Sequence, residues 1–332
     1  MSVTHSVLKF VRGAFAGGVV VITLLVMYPL DVLRLRHLSE YAVHVLFVWL
    51  LLSMFFLVLR REKMMWTALL AAGVLAIFLR ERSTVRLTAA VALADRPSFS
   101  VALYNTVNAD NLQQAFLQKM TERPVDLLTI QEVDPQWRAL LLDSLSATYP
   151  FQLEVRDIGI YGMLMLSPHP LEMKDSFWVT NSPVLAGELR IPGTPRPLRL
   201  VASYIPPLMG STTLRQQQAV LDSLGTYCDA VGSPLIALGA FNTVHWSPEM
   251  NAFLDLTLLQ ESRRGLGAFT EDERFDMFDI QRDHILYSNH LNRIDFRAID
   301  YEGTATNRHG GFIGTYQYAT PLEDAATSPT EF

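Results

Sequence analysis

Polar side chains of reactive type stand at the ends of apolar runs in this chain. Asn105 closes "VALYN", Gln131 and Glu132 follow "LLTI", Tyr204 follows "LRLVAS", Asn242 follows "LIALGAF", and Asp283 and His284 open "DHILYS". Carboxylate, amide, phenol and imidazole groups move protons or hydrogen-bond an oxyanion. Each also has a plainer reading when taken singly. Asn105 or Asn242 can cap a turn. Glu132 can be a solvated strand end, and Tyr204 a core ring with a satisfied hydroxyl. Chemistry requires that these strand ends share one edge of a layered sheet.

The elements that must position them alternate from Pro97 onward. "FSVALYNTV" and "VDLLTIQEV" read as buried strands. Between them, "DNLQQAFLQKM" carries Leu112, Ala115, Phe116 and Met120 at helical spacing. "PQWRALLLDSL" is a helix opened by Pro135. Short strands follow at "YGMLMLSPHPL", "SFWVTN" and "LRLVASYIPP", then a helix over 213–227 and the strand "PLIALG". Ser247 caps a further helix, "SPEMNAFLDL". "RDHILYSN", "IDFRAIDYEG" and "GGFIGTYQYA" close the pattern, and residues 321–332 read as a flexible tail.

The first 95 residues have a different character. Residues 14–30, 41–59 and 64–79 contain no Asp, Glu, Lys or Arg. About 17–25 such residues cross the hydrocarbon layer as a helix, so the stretch reads as a membrane anchor of three transmembrane helices. "RREK" forms a tight turn between the second and third. Basic residues balance across the two sides, five against five, so the positive-inside rule does not choose between the two orientations. Giving the first span precedence puts the N-terminus inside and the soluble part outside, extracytoplasmic and in a bacterium periplasmic. Cys228 is the single cysteine, so no intramolecular disulfide forms.

Residues 1–95 hold 10 basic and 5 acidic side chains, and residues 96–332 hold 17 and 28, a net charge of −11 for the soluble part. Nucleic-acid affinity comes largely from neutralising phosphates, so this balance weighs against a nucleic-acid partner. The partners expected are the lipid bilayer and a phosphorylated small molecule or lipid headgroup.

The order of the motifs is more specific than any one of them. Asn after the first strand, "QE" after the second, "YGMLMLSPHPL", a polar residue before "IPP", "GAFNT", "RDHIL" and "NRHGG" form a series. It resembles the endonuclease/exonuclease/phosphatase superfamily over residues 96–320, in a branch with a bacterial-type membrane anchor. The resemblance implies an α/β fold of α+β character, a four-layer α-β-β-α sandwich with its site at one edge. It also implies hydrolysis of a phosphoester with Mg²⁺ or Mn²⁺. Glu132 matches the metal-binding Glu. Asn105 and Asn242 match the amides that hold the phosphate and the attacking water. Tyr204 matches a phosphoryl-oxygen donor, His309 the terminal catalytic His, and Asp283 the acid that orients it.

Two positions depart from the pattern. The resemblance calls for Gly-Asp-Phe-Asn where this chain reads Gly239-Ala240-Phe241-Asn242, and for Ser-Asp-His where it reads Asn307-Arg308-His309. Two carboxylates are lost and a permanent cation is gained. Arg308 is then a phosphate-binding side chain, or a replacement for the metal's charge beside Glu132. Asp295 or Asp300 on a neighbouring strand, or Asn307 after a one-residue slip, are alternative sources for the second group. The functional readings are a phosphoester hydrolase with an impaired metal centre, an inactive phosphate- or anion-binding pseudoenzyme, and an active phosphodiesterase or nuclease. His169, His245, His284 and His290 lack metal-ligand spacing and read as structural or surface residues. Trp246 and Phe269 are placed at the mouth of the site by proximity to Asn242.

Overall fold

The computed structural model describes residues 2–30, 33–82, 89–106, 113–157, 161–207, 211–232, 234–263, 282–299 and 311–319. It begins with helix α1 (Ser2–Met27), which stops where Tyr28 precedes Pro29, since Pro disfavours helical geometry in the residue before it. A short α2 (Leu33–Arg36) and a 3-10 turn (His37–Tyr41) lead into α3 (Ala42–Val58) and α4 (Glu62–Arg82). Three stretches, Lys9–Met27, Leu38–Val58 and Glu62–Arg82, are long and apolar enough to cross a membrane. Trp49 Nε1 donates to Thr23 Oγ1 at 3.2 Å, tying α3 to α1 inside the bundle.

The rest of the chain builds two mixed sheets. The elements are β1 (Ser98–Asn105), α5 (Gln113–Glu122), β2 (Leu127–Gln131), α6 (Pro135–Leu145), β3 (Phe151–Val155), β4 (Met163–Ser167), β5 (Leu171–Val179), β6 (Ser182–Leu189) and β7 (Leu198–Ser203). There follow α7 (Ser211–Val231), β8 (Leu235–Ala240), α8 (Pro248–Thr257), β9 (Gln260–Glu261), β10 (Asp283–Tyr287), β11 (Leu291–Ala298) and β12 (Gly311–Tyr318). One sheet runs β11-β12-β1-β2-β4-β3 and the other β5-β6-β7-β8-β10-β9. Their inner faces meet in a core that includes Val101, Leu103, Leu200, Leu238 and Ile285. The outer face of the first sheet is covered by Phe116, Met120, Trp137 and Leu141 of α5 and α6. The second is covered by Val220, Leu224, Met250 and Phe253 of α7 and α8. This is the expected α-β-β-α sandwich.

Topology decides where chemistry can gather. β1 and β2 are parallel, joined across α5, and β7 and β8 are parallel, joined across α7. Their C-terminal ends all emerge at one edge of the sandwich, where β10 begins opposite the end of β8. Caps sharpen the turns there. The Asp134 carboxylate accepts from Trp137 N at 2.7 Å, and Ser247 Oγ, the expected cap, accepts from Met250 N at 3.1 Å.

The same edge touches the helical bundle. Val244 and Trp246 are buried among Val26, Ala42, Phe78 and Leu79, and Trp246 Nε1 donates to the Ser39 carbonyl at 2.7 Å. Arg282 pairs with Glu40 at 2.6 Å, and Arg36 pairs with Glu249. Trp246 therefore does not line an open mouth: its indole spans an apolar body and one donor, and the bundle satisfies both. Phe269 lies outside the described residues.

Candidate active site

Gln131, at the end of β2, is fully buried and joins the two sheets directly beneath the edge. Its Nε2 donates to the Ser203 carbonyl at 3.0 Å, and its Oε1 accepts from Ala240 N at 2.6 Å. One amide thus fixes the ends of β2, β7 and β8 relative to one another. Gly239 makes that approach possible. Its φ is +147°, and a Cβ there would stand 1.9 Å from the Ser203 carbonyl oxygen. A side chain would have to break the contact between β7 and β8.

Two residues just past these strand ends hold left-handed backbone, Glu132 at φ 60° and Asn242 at φ 50°. Asn tolerates that region, whereas Glu adopts it at a cost of about 1–2 kcal/mol. Such strain persists where surrounding contacts enforce it, and it concentrates at functional positions. The contacts are visible. Asn105 Nδ2 donates to Glu132 Oε1 at 2.8 Å, and Thr106 Oγ1 donates to the Glu132 carbonyl at 2.5 Å. On the other sheet, Asn242 Nδ2 donates to the Ile205 carbonyl at 2.7 Å, while Phe241 N and Asn242 N both donate to the Arg282 carbonyl.

The electrostatics centre on Glu132. Burial pushes its carboxyl above the ordinary range, hydrogen bonds from Asn105 and Tyr204 draw it partly back, and the charge of Asp283 pushes it up again. The Tyr204 phenol is raised by burial and then by the Glu132 charge, so it stays protonated and serves as a donor. Tyr204 is also braced edge-on by Tyr161, ring centroids 5.7 Å apart, and Tyr161 in turn meets Trp178 at 5.9 Å. A cavity of about 280 Å³ adjoins this edge, lined among others by Val133, Asp134, Arg138, Arg156, Asp157 and Met163.

Asn105, Glu132, Tyr204, Asn242 and Asp283 are therefore brought to one edge. Ala240 is there too, 2 % exposed and cross-strand from Asp283. His309 and Arg308 lie outside the described residues, as do Asn307 and Asp300. Asp295, offered as an alternative carboxylate, is exposed in mid-strand opposite Thr315, away from the edge. Mg²⁺ binds hard oxygen ligands in a near-octahedral shell. Among the described residues no group of three or more His, Cys, Asp or Glu side chains is placed to hold a metal ion. The described donors near Glu132 are amides, a phenol and Asp283.

Sequence reasoning missed one buried cluster beside this edge. His284 Nδ1 faces Glu261 Oε2 at 2.5 Å, and its Nε2 donates to the Thr243 carbonyl at 2.8 Å. Burial pushes Glu261 up, but the charges of His284 and Arg263 and the hydrogen bond from His284 carry it down to about 2. Burial depresses the neighbouring His245 to about 4. The cluster holds the β8–α8 turn against β10, so the structural reading of His245 and His284 agrees with the packing. Glu261 sits in a two-residue strand with no periodicity to signal it.

Comparisons with known proteins agree with this architecture. A family model described as "Endonuclease/Exonuclease/phosphatase family" matches residues 102–305, more than half of the chain. Among solved structures, an endonuclease/exonuclease/phosphatase from Beutenbergia cavernae is similar at 14% identity and TM-score 0.55, covering 67% of this chain and 72% of its own. A family protein from Bacteroides thetaiotaomicron gives 14% and 0.51, covering 68% and 99%. The human Nocturnin catalytic domain with bound sulfate anion gives 18% and 0.51, covering 68% and 96%. At these identities the likeness speaks for the fold. A search of curated proteins found no match.

Proposed function

Because this chain belongs to the endonuclease/exonuclease/phosphatase family, we propose that it is a membrane-anchored member whose cleft binds a phosphoester and whose metal centre is weakened by missing carboxylates. The observation that carries this reading is Ala240, an inert methyl cross-strand from Asp283 at the edge where Glu132 stands. The family pattern puts an acid there. Without it, the described donor set does not fit Mg²⁺ or Mn²⁺ as a strong ligand shell. Glu132 instead accepts from Asn105 and Tyr204.

What remains suits an anion. Asn105, Asn242 and Tyr204 are neutral donors at a half-buried edge, now engaged with Glu132 and the Ile205 carbonyl, and a charged phosphate oxygen competes for them as a charge-assisted acceptor. Arg308 adds a cation in the sequence motif where the family carries an acid. His309 and Asp283 are assigned the acid–base pair of the family by the same motif. The three apolar helices support anchoring, and the first-span rule supports an extracytoplasmic domain.

The test is titration calorimetry of the full chain in detergent with Mg²⁺ and Mn²⁺, alongside hydrolysis of phosphodiester and phosphomonoester probes. The expected result is no saturable metal binding by the natural protein and gain of binding in Ala240→Asp with Arg308→Asp. Robust metal-dependent turnover abolished by Glu132→Ala would replace this reading with that of an active hydrolase.

A further inference from the structure

The way the sandwich is mounted on the bundle points to where its substrate lies. Three spans place the α1–α3 connection and the end of α4 on the same side of the bundle. The soluble domain follows α4, so it shares that side whichever way the bundle is inserted. Among the described residues, three side-chain contacts with the bundle come from the edge that carries the candidate site. Trp246 reaches Ser39, Arg282 reaches Glu40 and Glu249 reaches Arg36. Trp246 lies in the turn after β8, Glu249 opens α8, and Arg282 immediately precedes β10.

The linker gives an independent check. Its described part lies at the opposite edge of the domain. Ala90 N donates to the Arg293 carbonyl in β11, Leu93 N donates to Gln317 at the far end of β12, and β1 starts beside Gln317 at Ser98. In a domain mounted with its site edge outward, β1 would start at the edge that meets the bundle; here it starts at the other one. From that far edge β1 runs back toward the edge that meets the bundle.

The scale of the gap follows from chain reach. Asn242 is four residues from Trp246, at most about 14 Å when extended. Its backbone N is also 3.2 Å from the carbonyl of Arg282, whose guanidinium holds Glu40. Glu40 lies inside the candidate span Leu38–Val58, near its start. The polar layer of one leaflet is roughly 5–8 Å deep, so the cleft stands over the headgroups and the water just above them. The same edge carries the β5–β6 turn, Thr180 and Asn181, with Trp178 beside it 49% exposed. An exposed indole is suited to a membrane interface.

Resting on the phosphoester reading above, we infer that the substrate or ligand is a phosphate group borne by a lipid of the leaflet on which the domain is mounted, presented from the headgroup layer to Asn242 and Tyr204. Two ion pairs and one indole fix the height of the cleft, so the domain does not sweep the bulk solution on a loose tether.

The experiment uses the full chain in phosphatidylcholine vesicles containing a nickel-chelating lipid. Spin labels are placed at Thr180→Cys on the site edge and at Glu122→Cys on the opposite edge, both in Cys228→Ser. Stronger nickel relaxation at 180 than at 122 is expected, and equal or reversed relaxation overturns the mounting. In a second arm, phosphatidic acid with a photoreactive group labels the protein. Labelling is expected to fall about tenfold in Asn242→Ala and in Tyr204→Phe, the loss of one hydrogen bond to a charged oxygen. It is also expected to resist inorganic phosphate and glycerol phosphate. Competition by the soluble phosphates at equal molarity, or labelling untouched by both variants, overturns the lipid source. If inorganic phosphate, glycerol phosphate and phosphatidic acid all fail to bind, the phosphoester reading itself fails, while the spin labels still decide the mounting.

Discussion

Restoring the family acid, Ala240→Asp, separates a cleft built for a cation from one that does without it. Asp283 and residue 240 are cross-strand partners in an antiparallel pair, a geometry that sets Cβ atoms about 4.5–5.5 Å apart. Two carboxylates about 5 Å apart repel by roughly 3 kcal/mol at an effective dielectric of about 20. Glu132, already pushed up by burial and by Asp283, adds to the repulsion. For a domain of this size about 3 kcal/mol lowers the melting temperature by about 6–12 °C. Magnesium at about a hundred times its dissociation constant returns about 2.7 kcal/mol. The assay is thermal unfolding of the full chain in detergent, with EDTA or with magnesium. An Arg308→Gln background keeps a new ion pair from masking the effect. The expected pattern is a drop in EDTA, recovery in magnesium, and a natural protein whose melting temperature ignores both. A natural protein stabilised by magnesium as strongly as the variant would refute the reasoning.

Other consequences follow from the packing. Gln131→Leu leaves Ala240 N–H and the Ser203 carbonyl without the partner they have now. At about 1–3 kcal/mol for each buried unsatisfied group, the expected loss is roughly 2–6 kcal/mol, read as a fall in melting temperature. Gly239→Ala meets the Ser203 carbonyl oxygen at 1.9 Å, so it should lose the site edge altogether and yield little folded protein by near-ultraviolet circular dichroism. His245 has its pKa depressed from 6.5 to about 4, so the unfolded chain binds the proton first. Stability should therefore fall as pH drops from 6.5 to 4, by on the order of 3 kcal/mol. His245→Phe should flatten that part of a pH–melting curve. Glu261, depressed from 4.5 to about 2, extends the loss below pH 4.5, and that lower arm should survive in the His245 variant.

Much of this molecule is legible in the sequence because its strands are buried on both faces. "VALYN" and "LLTIQ" are largely apolar runs that stop at a polar residue where the strand ends, and "LIALGA" ends two residues before Asn242 at the same edge. The cap at Ser247 and the helix opened by Pro135 follow from local chemistry in the same way. What escapes depends on partners distant in sequence. Nothing local distinguishes Gln131 as a bridge between sheets, because its partners lie 72 and 109 positions away. Nearness to Asn242 in sequence suggests that Trp246 lines the cleft. Its indole turns instead to Ser39, 207 positions back, a contact no periodicity could signal. Glu261 escapes for the same reason.

The methyl at residue 240 fits the rest of the edge. An acid there would face Asp283 across the strands and crowd Glu132, an arrangement that needs a cation to be stable. With Ala240, the core closes over the strand end, and Gln131 spends its amide on the backbone of residue 240. Glu132 accepts from two neutral donors, Asn105 and Tyr204. The cleft can therefore hold its shape with no metal bound. That independence is what a site needs if its task is to grip a phosphate, since a grip assembled by a cation would loosen each time the cation left.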